Sequence, residues 1–206
     1  MRHLFIALST LVLMVASARA EASVNVGIGL PGVSIGINVP EYPNLVPIPG
    51  SPVYYAPGVT SNYFFYDGLY WAYVENNWYA STWYNGPWSL ETSEEIPLFL
   101  LRVPVRYYPK PPEHFRGLRA DDPPRWGEYW GHAWEEHRPD WKEANRPAAP
   151  LPEYQRKYSG EQYPHAVEQQ HAIRRQNYKE YQPREAVTQR HFAGPQVKDR
   201  ENKKEK

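Results

Sequence analysis

Between Tyr63 and Trp88 the chain alternates short aromatic runs with turn-forming residues, and twelve of these 26 residues are Tyr, Trp or Phe. Asp67-Gly68, Glu75-Asn76-Asn77 and Asn85-Gly86-Pro87 are the punctuation, because Asp, Asn and Gly accept the backbone angles that tight turns need. The pattern predicts strands near Tyr63–Tyr66, Leu69–Val74, Trp78–Trp83 and Trp88–Leu90, with Asp67-Gly68 as a two-residue hairpin. Alternation along the second strand puts Leu69, Trp71 and Tyr73 on one side and Tyr70, Ala72 and Val74 on the other. The third strand separates Trp78 from Tyr79 and Trp83 in the same way. An antiparallel sheet with one wet face carries polar residues on that face. This one carries rings on both, so the meander needs cover on both sides.

The flanking segments are read as the covers. Val24, Val26, Ile28 and Leu30, then Val33, Ile35, Ile37 and Val39, alternate with small or polar residues about Pro31-Gly32, which predicts a hairpin with one apolar face. Residues 40–58 are dense in proline and read as an extended connector, unsuited to a helix or a central strand. Ile96–Leu101 is an apolar run too short for periodicity to separate one helical turn from a buried strand. Val103–Tyr108 reads as extended around Pro104. From Asp121 to Pro139 the pattern is helical: Asp121 or Asp122 caps, Pro124 fits the first turn and Pro139 ends it. Trp126, Trp130 and Trp134 then form one indole stripe, a cover for the second face of the meander. From Asn145 to Lys206 only six residues are Leu, Ile, Val or Phe; this segment buries too little to fold alone, though "AVEQQHAIRRQNYKEY" has helical character.

Composition adds a compartment. Met1-Arg2-His3 followed by the apolar run Leu4–Val15 and by Ala18-Arg19-Ala20 has the form of a cleaved secretory signal. Cleavage is expected after Ala20, with Ala20-Glu21-Ala22 a second small-x-small match. No later stretch has the length and apolarity of a membrane span. The chain has no cysteine, so an exported form of it has no disulfide framework and no thiolate chemistry. Net charge is zero but unevenly spread. Residues 21–143 hold eight Lys/Arg against fifteen Asp/Glu, and residues 145–206 hold thirteen against eight. An acidic body with a basic tail suits an envelope partner or self-contact, and does not suit nucleic acid, which calls for a basic domain.

Catalytic signals are weak. "HAWEEH" has a metalloprotease flavour, but His132 and His137 are five apart, about 140° around a helix, where a shared zinc wants one face. Glu94-Glu95 and Asp121-Asp122 precede apparent helix starts, where negative charge is favourable in any case. There is no Gly-x-Ser-x-Gly elbow and no phosphate loop after a strand. No catalytic residue, metal ligand or cofactor is expected. Aromatic platforms bind sugar rings through their π faces and proline-rich segments through aromatic grooves; Tyr66, Tyr70, Trp78, Tyr79, Trp83 and Trp88 are the candidates for such a surface. Proline-rich segments of this same chain are competitors for it.

With "YDGLYWAY", "WYASTWYNGPW", "LLRVPVRYY" and "PPRWGEYWG" in view, the chain resembles the Tyr/Trp-rich exported proteins of Gram-negative bacteria over about residues 38–142. It is loosely similar to proteins with Tyr-x-Trp-Gly-x-Trp repeats, although "RWGEYW" matches only approximately and does not recur. The resemblance implies a cell-envelope location and transfers no catalytic residues.

The expected organisation is a signal peptide over residues 1–20, a Gly-rich hairpin over 21–39, a Pro-rich connector over 40–58, the aromatic meander over 59–108, a Pro-rich segment and Trp-rich helix over 109–144, and a polar basic tail over 145–206. The fold class is mainly β with minor α: a small antiparallel aromatic β-meander packed with a Trp-lined helix, plus a disordered or partly helical C-terminal tail. The expected function is non-catalytic, a binding or structural role in the periplasm or outside the cell with the sheet largely self-covered. The alternatives are a module binding cell-wall glycan or Pro-rich peptide, and an adaptor whose tail folds on an envelope protein.

Overall fold

The computed structural model describes residues 35–136 and 146–194. The signal segment, residues 24–34 of the expected hairpin, His137 and Pro139 lie outside the described residues. A six-stranded antiparallel sheet runs in sequence order: β1 Val46–Pro47, β2 Tyr54–Tyr55, β3 Asn62–Tyr66, β4 Leu69–Val74, β5 Asn77–Ser81 and β6 Ser89–Glu91. The four aromatic strands fall where turn chemistry put them. Asp67 and Gly68 both have positive φ, 50° and 89°, as do Glu75 at 49° and Asn76 at 63°, so two tight hairpin turns join β3, β4 and β5. Trp83 lies beyond β5, in the turn that leads to β6. Two short strands from the proline-rich connector extend the sheet at its edge, the position that tolerates proline.

Register carries the alternation across the sheet. Phe64 faces Trp71 and Trp71 faces Ala80, while Tyr63 faces Ala72 and Ala72 faces Tyr79. Two buried clusters follow, one per face. The first gathers Phe64, Tyr66, Leu69, Trp71, Tyr73 and Trp78 under Ile96, Leu100, Val103, Phe115 and Trp126. The second gathers Tyr63, Phe65, Tyr70, Ala72, Trp83, Tyr84 and Trp88 with Val39, Leu45, Ala149 and Tyr163.

The first face is closed by chain that follows the sheet directly. Ile96–Leu101 resolves as helix: α1, Leu98–Leu101, is buried along its whole length. Val105–Tyr107 is a tight helical turn where an extended segment was expected, held because Val105 N and Arg106 N donate to Asp122 O and Ala120 O at 3.1 and 2.9 Å. The expected Trp helix is broken in two, α2 Trp126–Trp130 and α3 His132–Glu136. Gly131 takes φ +98° between them, a conformation that ends a helix and suits glycine. The stripe survives the break: Trp126 stacks on Trp130 with centroids 4.6 Å apart, and Trp130 meets Trp134 at 4.7 Å. Trp126 lies deepest, its indole N–H donating to Leu101 O at 2.9 Å.

The second face is closed differently from the expectation. Ile35, Ile37 and Val39 do point into its cluster, as their alternation predicted, but residues 35–39 pair with no strand. Much of the cover comes from the polar tail, whose described part is partly helical and docked on the sheet. It runs through a tight turn at Glu153–Lys157, then α4 Val167–Asn177 and α5 Ala186–Ala193. Val187 of α5 reaches around to the first cluster. The sheet is the architectural centre, although helical residues outnumber strand residues.

Trp126→Ala removes the largest side chain of the first cover and strands the Leu101 carbonyl. It is expected to cost ~3–5 kcal/mol of unfolding free energy, measured as a drop in the urea midpoint with unchanged slope.

Candidate functional site

The six candidate rings divide between opposite faces. Tyr66 and Trp78 belong to the first cluster; Tyr70, Trp83 and Trp88 belong to the second, with Tyr79 packed at its margin. Five of the six are buried, and only Tyr79 is half-buried. They do not form one platform. Tyr66 donates to Glu185 Oε1 at 2.7 Å and accepts from Arg146 Nη1 at 3.2 Å. Trp78 sits among Trp71, Tyr73 and Trp126 at centroid distances of 6.4, 5.0 and 6.0 Å. Trp88 meets Tyr63 edge-on at 5.9 Å. Trp83 is ringed edge-on by Tyr158, Tyr163 and Tyr154 at 5.5, 5.8 and 6.1 Å.

Sequence reasoning missed the polar anchors that hold the tail on. Asp67, buried in the first hairpin turn, accepts from Arg184 N at 3.1 Å, from Glu185 N at 2.8 Å and from the Tyr181 hydroxyl. Its side chain thus takes the backbone donors of the two residues that lead into α5. Arg146 pairs with Glu185 beside it. Gln155, fully buried, accepts from the Tyr70 hydroxyl at 3.0 Å and donates to Thr82 O at 2.9 Å. Gln170, also buried, donates to Gly86 O at 3.0 Å and Pro164 O at 2.7 Å. At the β6 edge Glu91 bonds His191 at 2.7 Å, and Arg190 bridges to Glu95. Burial pushes the Glu91 carboxyl up, against the pull of His191. Asp67-Gly68 was legible as a turn; its second role, reaching residues more than a hundred positions away, left no local mark.

Titration behaviour follows burial. Desolvation pushes the Tyr63, Tyr70 and Tyr108 hydroxyls well above the usual phenol range, and those of Tyr42 and Tyr154 to about 12. Among the described residues no group of three or more His, Cys, Asp or Glu could hold a metal; His132 instead pairs with Glu136 at 3.4 Å. Gly50, Ser51, Pro52, Arg146 and Pro147 line an open hollow of about 390 Å³, with one charged group already engaged by Glu185 and Tyr66. Among the described residues, Tyr129 is an exposed ring outside the candidate set, 40% exposed and stacked on His114 at 3.9 Å. No helix among the described residues is long and apolar enough to cross a membrane. No family model, no curated protein and no solved structure matches the chain.

Two solution measurements read this arrangement. An alkaline absorbance titration is expected in two steps, with surface phenols ionising near pH ~10 and the buried ones only as the chain unfolds; a single step would contradict the burial. His171 is pushed down to about 4, chiefly by burial and then by Arg174, Arg175 and His191. The unfolded chain protonates this histidine near pH ~6.5, whereas the folded chain resists until about 4. Its contribution is therefore whole above the unfolded value and is lost as pH falls toward the folded one. His171→Gln is expected to flatten the decline of the urea midpoint across that window.

Proposed function

We propose that this chain is an exported, non-catalytic protein of the cell envelope, with a binding or structural role built on an aromatic sheet that its own flanks keep covered. The observation that carries the reading is the burial of the sheet's rings on both faces by segments of the same polypeptide. The buried hydroxyl of Tyr63 is spent on the Tyr84 backbone carbonyl at 2.6 Å, and that of Tyr70 on the Gln155 side chain. Such bonds fix packing and leave those groups engaged within the fold. The N-terminal Met1–Ala20 segment, with its basic start, apolar run and small-x-small end, supports export. The acidic body and basic tail support contact between parts of this chain or with an envelope partner.

Fractionation of expressing cells with N-terminal sequencing tests the compartment. The expected product starts at Glu21 or Ser23 and leaves with the periplasmic or secreted fraction; a cytoplasmic product retaining Met1 would overturn the export reading. Acrylamide quenching of tryptophan fluorescence tests the covered sheet. Native quenching is expected to be several-fold weaker than in urea, and equal quenching in both states would show open rings.

A further inference from the structure

Helix α4 is held to the molecule by polar contacts. Its two buried residues are Gln170 and Arg174, while Val167, Ala172 and Ile173 are only half-buried. Arg174 lies at the junction with α5. Its Nη2 donates to Phe192 O and, at 3.2 Å, to His171 Nδ1, and its guanidinium sits 4.1 Å from the centre of the Phe192 ring. Arginine has no lone pair to offer, so His171 Nδ1 is the acceptor and the proton of the neutral imidazole is on Nε2. The chain leaving α5 lies against the same ring: a Cβ at Gly194 would stand 3.0 Å from His171 Cε1 and 3.1 Å from Nδ1. One imidazole thus touches both the buried Arg174 and the end of α5.

From this geometry we infer that His171 is an acid-sensitive latch: a proton at Nδ1 turns the acceptor for Arg174 into a second cation, and α4 lifts from the end of α5 while the sheet and α5 stay in place. A buried guanidinium beside a like charge is costly, and α4 has little apolar burial with which to resist local opening. The surrounding charges set the direction. On α4, Arg175 adds to the repulsion from Arg174 and the exposed Glu168 opposes it; from α5, His191 adds to it. The Tyr154 phenol faces Arg174 and is pushed up to about 12, so it stays neutral as pH falls. His191 is itself bonded to Glu91 of β6 at 2.7 Å, with Arg190 paired to Glu95 beside it. Burial pushes the Glu91 carboxyl up, so its proton uptake favours the folded form as pH falls. Asp67 holds the two residues that lead into α5, and Val187 anchors that helix in the first cluster. The weak joint is therefore the one between α4 and α5. The latch acts wherever the chain resides, and so goes beyond the function proposed above.

The test is amide hydrogen exchange of the full chain near pH ~7 and pH ~5, read as protection factors, in the parent, His171→Gln and His191→Gln. In the parent the α4 amides are expected to lose about twentyfold in protection between the two, the ratio for a histidine that titrates near ~6.5 when free and about 4 when held. The β3–β5 amides and those of residues 186–190 are expected to keep theirs. Glutamine offers Arg174 an acceptor that does not titrate, so His171→Gln is expected to hold α4 protection nearly level. His191→Gln is expected to keep most of the parent's loss; abolishing it would move the sensor to that residue and overturn the inference. Unchanged α4 protection in the parent, an equal loss in His171→Gln, or a loss that spreads to β3–β5 would overturn it as well. If His171→Gln does not fold, the parent supplies a second measurement, the titration of the His171 Cε1 proton resonance. Its midpoint is expected well below the free value, and a midpoint near pH ~6.5 would rule the latch out.

Discussion

Rings on both sides of one small sheet are the constraint from which the rest of the molecule follows. Apolar surface left in water on either side would forfeit about half of the burial that drives the meander to order, while the entropy cost of fixing its backbone would stay the same. Two covers are therefore required, and the chain supplies both. Trp71 and Trp78 press against Trp126 and the α1 segment; Tyr70 and Trp83 press against the tyrosines of the tail. The two-residue turns at Asp67-Gly68 and Glu75-Asn76 keep the register, since a slip of one residue would exchange the two faces.

The covers solve the same problem with different chemistry. Behind the first face, aliphatic side chains and an indole ladder exclude water. Behind the second, a segment poor in Leu, Ile, Val and Phe has to rely on tyrosine, whose ring is apolar and whose hydroxyl needs a partner. Backbone carbonyls at Tyr84, Gly86 and Tyr158 provide those partners. Gln155 and Gln170 sit buried because each bridges two polar groups of this region: Gln155 the Tyr70 hydroxyl and Thr82 O, Gln170 Gly86 O and Pro164 O. A polar tail thus folds on an aromatic sheet although it could not fold by itself.

Long-range polar anchors give that docking its geometry. Asp67 does two jobs from one position: its backbone makes the β3–β4 turn, and its carboxylate receives the two residues that lead into α5. Gly68 beside it has no room for a side chain, since a Cβ there would lie 2.8 Å from Phe192 Cζ. Arg146, Glu185 and Tyr66 form a second tie across the same corner. The Glu91–His191 bond holds the far end of α5 to the sheet edge.

Local residue pattern was enough for the strands, their turns and the inward sides of each, because period-two alternation and Asp-Gly or Asn chemistry act over a few residues. It was also enough to show that both faces needed covering and that Trp126, Trp130 and Trp134 would share a side. It could not tell that Gly131 would break the helix, since glycine within a helical pattern is compatible with either outcome until packing chooses. Nor could it assign the cover of the second face. The six candidate rings looked like one surface because they are neighbours in sequence, yet alternation and register send them to opposite sides of the sheet. The tail's place was decided only by tertiary structure: its hydrogen bonds join Tyr70 to Gln155 and Asp67 to Arg184 across 85 and 117 positions, and a chain of low apolar content gains its order from the partner surface and not from its own periodicity.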